Sequence, residues 1–134
     1  MHVTGHCHCG AIRFEAEIDP AEIRICHCTD CQRLSGSAFR VNVFADDDRF
    51  RLLGGSPKSY VKIADSGNRR LHAFCADCGT PVYATSEGPG PKRFGLRVGT
   101  LDNAADLIPS LQIWTRSALP WLGDIGALPG HEGQ

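Results

Sequence analysis

Residues 11–18 read Ala-Ile-Arg-Phe-Glu-Ala-Glu-Ile, with apolar and polar side chains in alternation. Ile12, Phe14, Ala16 and Ile18 fall on one face and Arg13, Glu15 and Glu17 on the other, the period of a half-buried strand. Asp19-Pro20 ends it. Shorter runs follow at 22–25, at 38–44 with Phe39, Val41 and Val43 on one face, at 50–53 and at 82–85. Residues 60–63 and 71–74 read as a hairpin around Ser66-Gly67-Asn68. Phe94, Leu96 and Val98 alternate again, and 111–115 is the last strand expected. Thr29 is placed to cap a short helix carrying Asp30, Cys31, Gln32, Arg33 and Leu34, with Gly36 closing it. One more helical turn is expected at 102–107. The pattern predicts a mainly β chain of many short strands bounded by turns, with one or two short helices. Phe14, Phe39, Phe74, Tyr83 and Phe94 fall at strand spacing and are expected in the core, and burial is expected of Trp114 and Trp121 as well. Residues 118–122 are apolar enough to dock on the body. The domain therefore runs over 1–122, and the Gly- and Pro-rich residues 123–134 are expected to be a mobile tail.

A chain of 134 residues makes one domain, small enough to benefit from a metal staple. Its formal net charge is -1, from 14 basic and 15 acidic residues. Two zinc sites, one with four thiolates and one with three, would bring this to roughly -4, because the ligands bind deprotonated. The densest basic groups, Arg69-Arg70 and Lys92-Arg93, are only pairs, so no basic face for a nucleic-acid partner is expected. No apolar stretch approaches the ~20 residues that span a bilayer. The N-terminal residues lack the apolar run of a signal peptide. A reducing, cytoplasmic setting is therefore expected, where clustered cysteines read as metal ligands rather than disulfides.

The seven cysteines fall in three groups. Cys26, Cys28 and Cys31 lie within six residues, and an odd number of thiols always leaves one over in a disulfide scheme. Cys7-x-Cys9-Gly10 and Cys75-x-x-Cys78-Gly79 have the form of metal-binding turns, with glycine free to adopt the left-handed conformation that the turn needs. Pairing these two turns makes a four-thiolate site that closes a long loop and contributes to folding. The triplet is left with three ligands, the pattern of a catalytic zinc with an open position. The helix N-terminus beside it favours thiolates. Two other readings of the triplet remain open. His27, His8, His72 or Asp30 could supply a fourth ligand, or two thiols could form a redox disulfide. Asp46-Asp47-Asp48 lacks the ligand spacing of a calcium loop and reads as an acidic turn.

Three stretches together resemble the glutathione-dependent formaldehyde-activating enzyme family, also called the GFA/CENP-V domain family. They are Gly5-x-Cys7-x-Cys9-Gly10-x-Ile12-x-Phe14, Cys26-His27-Cys28-Thr29-x-Cys31-Gln32-Arg33 with Gly36-Ser37-x-Phe39, and Phe74-Cys75-x-x-Cys78-Gly79-Thr80. Gly99-Thr100-Leu101-Asp102 and Pro120-Trp121 are also similar, so the likeness runs over about residues 4–122. The resemblance implies small antiparallel sheets of the Mss4-like β-tent type. It implies a structural zinc on Cys7, Cys9, Cys75 and Cys78, and a catalytic zinc on Cys26, Cys28 and Cys31. The implied activity is carbon–sulfur lyase chemistry that joins formaldehyde and glutathione into S-hydroxymethylglutathione, or the reverse. The implied partner is a small thiol or glutathione adduct, for which Arg33, Arg40, Arg97 and Gln32 are candidate contacts. Where many members read His-Ile-Trp, this chain has Gln112-Ile113-Trp114. A reading from a different class is a non-catalytic zinc module that docks on a protein; an exposed apolar patch with no pocket by the triplet would favour it.

Overall fold

The computed structural model describes all 134 residues. Ten strands and one α-helix follow one another along the chain. The strands are β1 (His2–His6), β2 (Arg13–Glu17), β3 (Arg24–Cys26), β4 (Arg40–Asp46) and β5 (Phe50–Gly54), then β6 (Lys58–Ile63), β7 (Arg69–Phe74), β8 (Pro81–Ser86), β9 (Arg93–Arg97) and β10 (Leu111–Ile113). They form two sheets. The smaller has the order β1-β2-β5, and the larger has seven strands in the order β10-β3-β4-β9-β8-β7-β6. The mainly β class read from the alternation is the one found. Every pairing is antiparallel except β3 with β10, which run parallel.

The alternating faces meet between the sheets. Phe14 and Ala16 of β2 and Val3 of β1 are buried against Val43 and Ala45 of β4 and Leu96 of β9. Fully burying a side chain such as Phe14 is worth about 2–3 kcal/mol. Phe50 of β5 joins the sheets through its ring, which stacks on Phe94 at a centroid distance of 4.4 Å and meets Tyr83 edge-on at 5.1 Å. The polar faces of β2 point to solvent, where Arg51 pairs with Glu15.

β1 carries no apolar repeat that would announce it, because Val3 is its one large apolar side chain. Tight packing holds it instead. A Cβ on Gly5 would lie 2.5 Å from both the Phe14 ring and the Thr100 carbonyl, so only glycine lets this strand approach. The expected turn at 102–107 is a single 3-10 turn at Ala104–Asp106, and the three-aspartate stretch becomes another at Asp47–Arg49.

The helix α1 spans Thr29–Ser35 and ends, as expected, on Gly36 in the left-handed conformation at φ 65°. Its cap differs from the expected Thr29. Cys28 takes the position, and its Sγ accepts the Cys31 N–H at 3.2 Å. The expectation of buried tryptophans is also overturned, since Trp114 and Trp121 are each 51% exposed. Trp114 follows an edge strand, so nothing covers it, and its ring stacks on Arg116 with 4.7 Å from the guanidinium carbon to the ring centroid. Ala118, Leu119 and Leu122 are half-buried, and Leu122 opens a 3-10 segment, Leu122–Ala127, whose other residues are exposed.

Candidate functional site

Two turns bring four thiols together. In each, the glycine after the second cysteine adopts the left-handed conformation, at φ 79° for Gly10 and 76° for Gly79. Each glycine N–H then reaches back to the first cysteine's carbonyl, at 2.9 Å for Cys7 and 2.8 Å for Cys75. The Sγ atoms of Cys7, Cys9, Cys75 and Cys78 all lie within 4.8 Å of one another. Cys7 and Cys9 are 3.6 Å apart and Cys9 and Cys75 3.7 Å. A tetrahedral ion with zinc–sulfur bonds of about 2.3 Å sets its sulfurs about 3.8 Å apart, so the spacing fits a shared metal. The same spacing is far too long for a disulfide. Thr80 ties the two turns, accepting the His8 N–H at 3.1 Å while its hydroxyl lies 3.1 Å from Cys78 Sγ. That hydroxyl is the main cause that lowers the Cys78 thiol to about 5. The Ala11 N–H favours a thiolate on Cys9, but proton sharing with Cys7 and Cys78 outweighs it and pushes Cys9 up to about 12.

The second cluster is local. Cys26 ends β3, Cys28 caps α1 and Cys31 sits in its first turn, and their three Sγ atoms also lie within 4.8 Å of one another. The thiols share protons unevenly. The hydrogen bond with Cys31 is the largest influence lowering Cys26 to about 5, and the same bond raises Cys31. No fourth side-chain donor joins the group. Three of the candidates for that place are otherwise engaged. His27 is buried with Nε2 2.7 Å from Gln112 Oε1, which puts the ring proton on Nε2. Asp30 pairs with Lys62 at 2.5 Å. His72 Nδ1 accepts from Arg97 Nη2 at 3.3 Å. His8 is exposed on the turn of the other cluster. Three thiolates with no fourth protein ligand suit an ion that keeps a coordination place for a substrate.

Strand register explains what lies beside the triplet. Arg40 stands opposite Cys26, and Asn42 opposite Arg97. Further along, Phe44, Gly95, Ala84, His72 and Tyr60 form one row across five strands. Lys62 and Arg70 form the next row. Directly opposite residues and every second residue share a face, so these side chains belong to one side of the large sheet. Gly95 and Ala84 are small, and a groove opens over them. One lobe, of about 190 Å³, is lined by Cys28 and Cys31 with Arg40, Lys62, Arg70, His72 and Arg97 among its other walls. A second lobe, of about 200 Å³, shares Leu34, Arg40, His72 and Arg97 and adds Tyr60, Phe74 and Pro81. Larger depressions around His2 and Arg51 and around Asp46–Asp48 hold no cysteine.

Arg40 and Arg97 are only 6% and 8% exposed. Burial first, then the charge of Arg40, lowers Arg97 to about 9, which leaves it protonated at neutral pH. Burial, then Arg97, lowers His72 to about 4, so its imidazole is neutral. Of the four contacts expected from sequence, Arg40 and Arg97 line the groove. Arg33 is exposed and lines neither lobe. Gln32 is structural: its amide donates to the His27 carbonyl at 2.9 Å and the Ser117 carbonyl at 3.0 Å. Lys62 and Arg70 were missed, and His72, expected only as a possible fourth ligand, lines the groove instead. The alternation of β6 and β7 carried the signal, because Arg70 and His72 are two apart on one strand.

The pattern that defines the glutathione-dependent formaldehyde-activating enzymes matches residues 2–117. The chain belongs to that family. A curated relative from Halomonas elongata, whose name provisionally assigns it as a glutathione-dependent formaldehyde-activating enzyme, is 27% identical over 90 residues. That alignment covers 62% of this chain, and the chain spans about half (55%) of the relative's length. A crystal structure of a Rhodobacter sphaeroides protein is similar with a TM-score of 0.62 and 26% identity, covering 81% of this chain and 98% of that one. Both metal-type cysteine clusters lie inside the span matched by the formaldehyde-activating enzyme family.

Proposed function

We propose that this protein is a zinc-dependent carbon–sulfur lyase acting on a small thiol adduct such as S-hydroxymethylglutathione. The observation that carries the reading is a thiol triplet that stops at three donors and opens on a cation-lined groove. Cys7, Cys9, Cys75 and Cys78 would hold a structural zinc, and Cys26, Cys28 and Cys31 a second one. When bound, the second zinc supplies a place where a substrate thiol is kept as thiolate near neutral pH. Three thiolate ligands donate much charge, which favours thiol exchange over water activation.

In the synthetic direction the substrate's sulfur forms a bond to the carbonyl carbon of formaldehyde. The carbonyl π pair moves onto oxygen, and the proton given up by the thiol ends on the new hydroxyl. Cleavage is the reverse, with the sulfur taking back the bonding pair. The chain's own part is to hold the thiol compound in the groove and keep α1 and β3 in register. His27 serves the latter from both sides: its ring and backbone N–H reach Gln112 and the Ile113 carbonyl of β10, the second at 3.1 Å, and its own carbonyl accepts the Gln32 amide of α1 at 2.9 Å. A groove beside the triplet also supports the enzyme over a non-catalytic docking module. The test is zinc content and adduct turnover for the wild type and Cys28→Ser. Two zincs and turnover in the first, with one zinc and none in the second, is expected. Full turnover in Cys28→Ser would refute the assignment.

A further inference from the structure

His72 stands where the two lobes of the groove meet and lines both. Ala84 lies opposite it on β8, and Gly95 lies opposite Ala84 on β9. No bulk therefore parts the ring from the lobe that Cys28 and Cys31 line. His72 Nδ1 lies 3.3 Å from Arg97 Nη2. A guanidinium offers donors only, so Nδ1 accepts and the ring proton belongs on Nε2. Arg97 is fixed in turn, since another of its donors meets Asn42 Oδ1 at 2.5 Å. Nε2–H finds no acceptor in the protein, and it is not among the sealed polar atoms without a partner, which are His27 Nδ1, Arg97 Nε and Asn103 Oδ1. His72 thus presents one free, oriented donor to the groove. The charged groups facing the ring are Arg97 on β9, Arg40 on β4, Arg70 on its own strand and Lys62 on β6. Tyr60 on β6 and the α1 residues Asp30, Cys28 and Cys31 are the other titratable walls. Burial first, then these cations, keep the imidazole neutral. The cations themselves are drawn elsewhere: Lys62 to Asp30, Arg70 to the Ser86 hydroxyl at 3.3 Å, and Arg40 toward the three thiols.

We propose that His72, through Nε2–H, donates the hydrogen bond that steadies the substrate's oxygen while the carbon–sulfur bond forms or breaks. This rests on the proposed lyase reading and adds a catalytic residue to it. As sulfur attacks the aldehyde carbon, the carbonyl π pair becomes negative charge on oxygen. A fixed donor aimed at that oxygen favours the transition state over the ground state. A neutral imidazole is able to act as such an electrophile. The Arg97 bond at Nδ1 draws electron density from the ring and strengthens the donor at Nε2. The Nε2 proton stays on His72 throughout. The thiol's proton leaves to solvent as sulfur becomes thiolate, and solvent returns one to the new hydroxyl. In the adduct the oxygen is only two bonds from sulfur, so its donor has to line the same lobe as the thiols. His72 does so, whereas Tyr60, another neutral donor, lines only the second lobe.

The test measures exchange between glutathione and S-hydroxymethylglutathione by NMR, with zinc-loaded wild type, His72→Phe and His72→Gln. His72→Phe is expected to lose on the order of a hundredfold in kcat, the cost of one such donor, with KM near the wild-type value. His72→Gln keeps an N–H and is expected to recover about tenfold of that loss. An unchanged kcat in His72→Phe beside an active wild type would overturn the role of His72 and leave the lyase reading standing. A rise in KM alone would also overturn it, because that marks uniform binding of substrate and transition state. No exchange above the spontaneous rate in the wild type would overturn the lyase reading, and the catalytic role falls with it. A second readout needs neither turnover nor a variant. Nitrogen–proton correlation spectra of the wild type at neutral pH are expected to show His72 as a neutral ring protonated on Nε2. A proton on Nδ1, or a charged ring, would overturn the assignment even if His72→Phe does not fold.

Discussion

Replacing one cysteine in each cluster should separate folding from chemistry. In the four-thiol cluster, Cys9 and Cys75 are 66 positions apart, so a shared ion closes a long loop and ties the small sheet to the end of β7. A structural zinc held there would contribute about 10–16 kcal/mol of apparent binding free energy, as large as the whole 5–15 kcal/mol stability of an ordinary domain. Cys75→Ser should therefore leave the chain largely unfolded. The triplet closes almost no loop, and its residues are already held by β3, α1 and the Gly36 cap. The remaining cost of Cys28→Ser is the helix cap, and serine is itself a good one. A loss under about 1 kcal/mol follows, a drop of roughly 4 °C in Tm for a domain of this size. Circular-dichroism melts, with zinc measured on the same samples, read both effects. Equal losses of Tm in the two variants would refute the division of labour.

Other outcomes follow from single contacts. Gly5→Ala should cost about 1–3 kcal/mol in chemical denaturation, because its methyl group meets the Phe14 ring and the Thr100 carbonyl. Gln112→Leu removes the partner of a buried His27 nitrogen and should cost about 1–3 kcal/mol, whereas the same change at exposed Gln134 should cost nothing measurable. Ala84→Leu places bulk on the groove floor and should raise KM for a thiol adduct, with a loss of about 1–3 kcal/mol because Ala84 is only 4% exposed; an unchanged KM in the folded variant would remove the groove from the substrate's path. His72 titrates at about 4 in the fold against 6.5 as a free side chain. Its contribution is fully present above pH 6.5 and fades as pH falls toward 4, since the unfolded chain takes the proton first. His72→Gln should flatten that part of the stability–pH curve, and an identical slope would refute the burial argument.

The cysteine spacing carried the two clusters, because short metal-binding turns are local and a glycine marks each one. The core was equally legible where alternation is strict, as in Ile12, Phe14 and Ala16. What alternation could not reveal is pairing over distance. β1 has one large apolar residue and exists because Gly5 fits against Phe14, a fact about two strands at once. The groove follows from five strands aligning Phe44, Gly95, Ala84, His72 and Tyr60, and nothing in any one strand announces it. Arg40 and Arg97 were recognisable as candidates, but their meeting depends on the β4–β9 register. The two tryptophans failed as core residues because apolar character does not say whether a neighbour arrives to cover it.

The parallel pairing of β10 with β3 has a consequence for how the chain tolerates trimming. β10 is the outermost strand of the large sheet, and it covers the flank of the strand that ends in Cys26. Clipping the chain after residue 122 removes nothing from that sheet, but clipping before residue 111 leaves β3 as a bare edge with its amides and carbonyls unmatched. Such edges recruit strands from other molecules. Proteolysis at the two places should therefore give different products on a sizing column: an intact particle of unchanged assembly in one case, self-adhering fragments in the other.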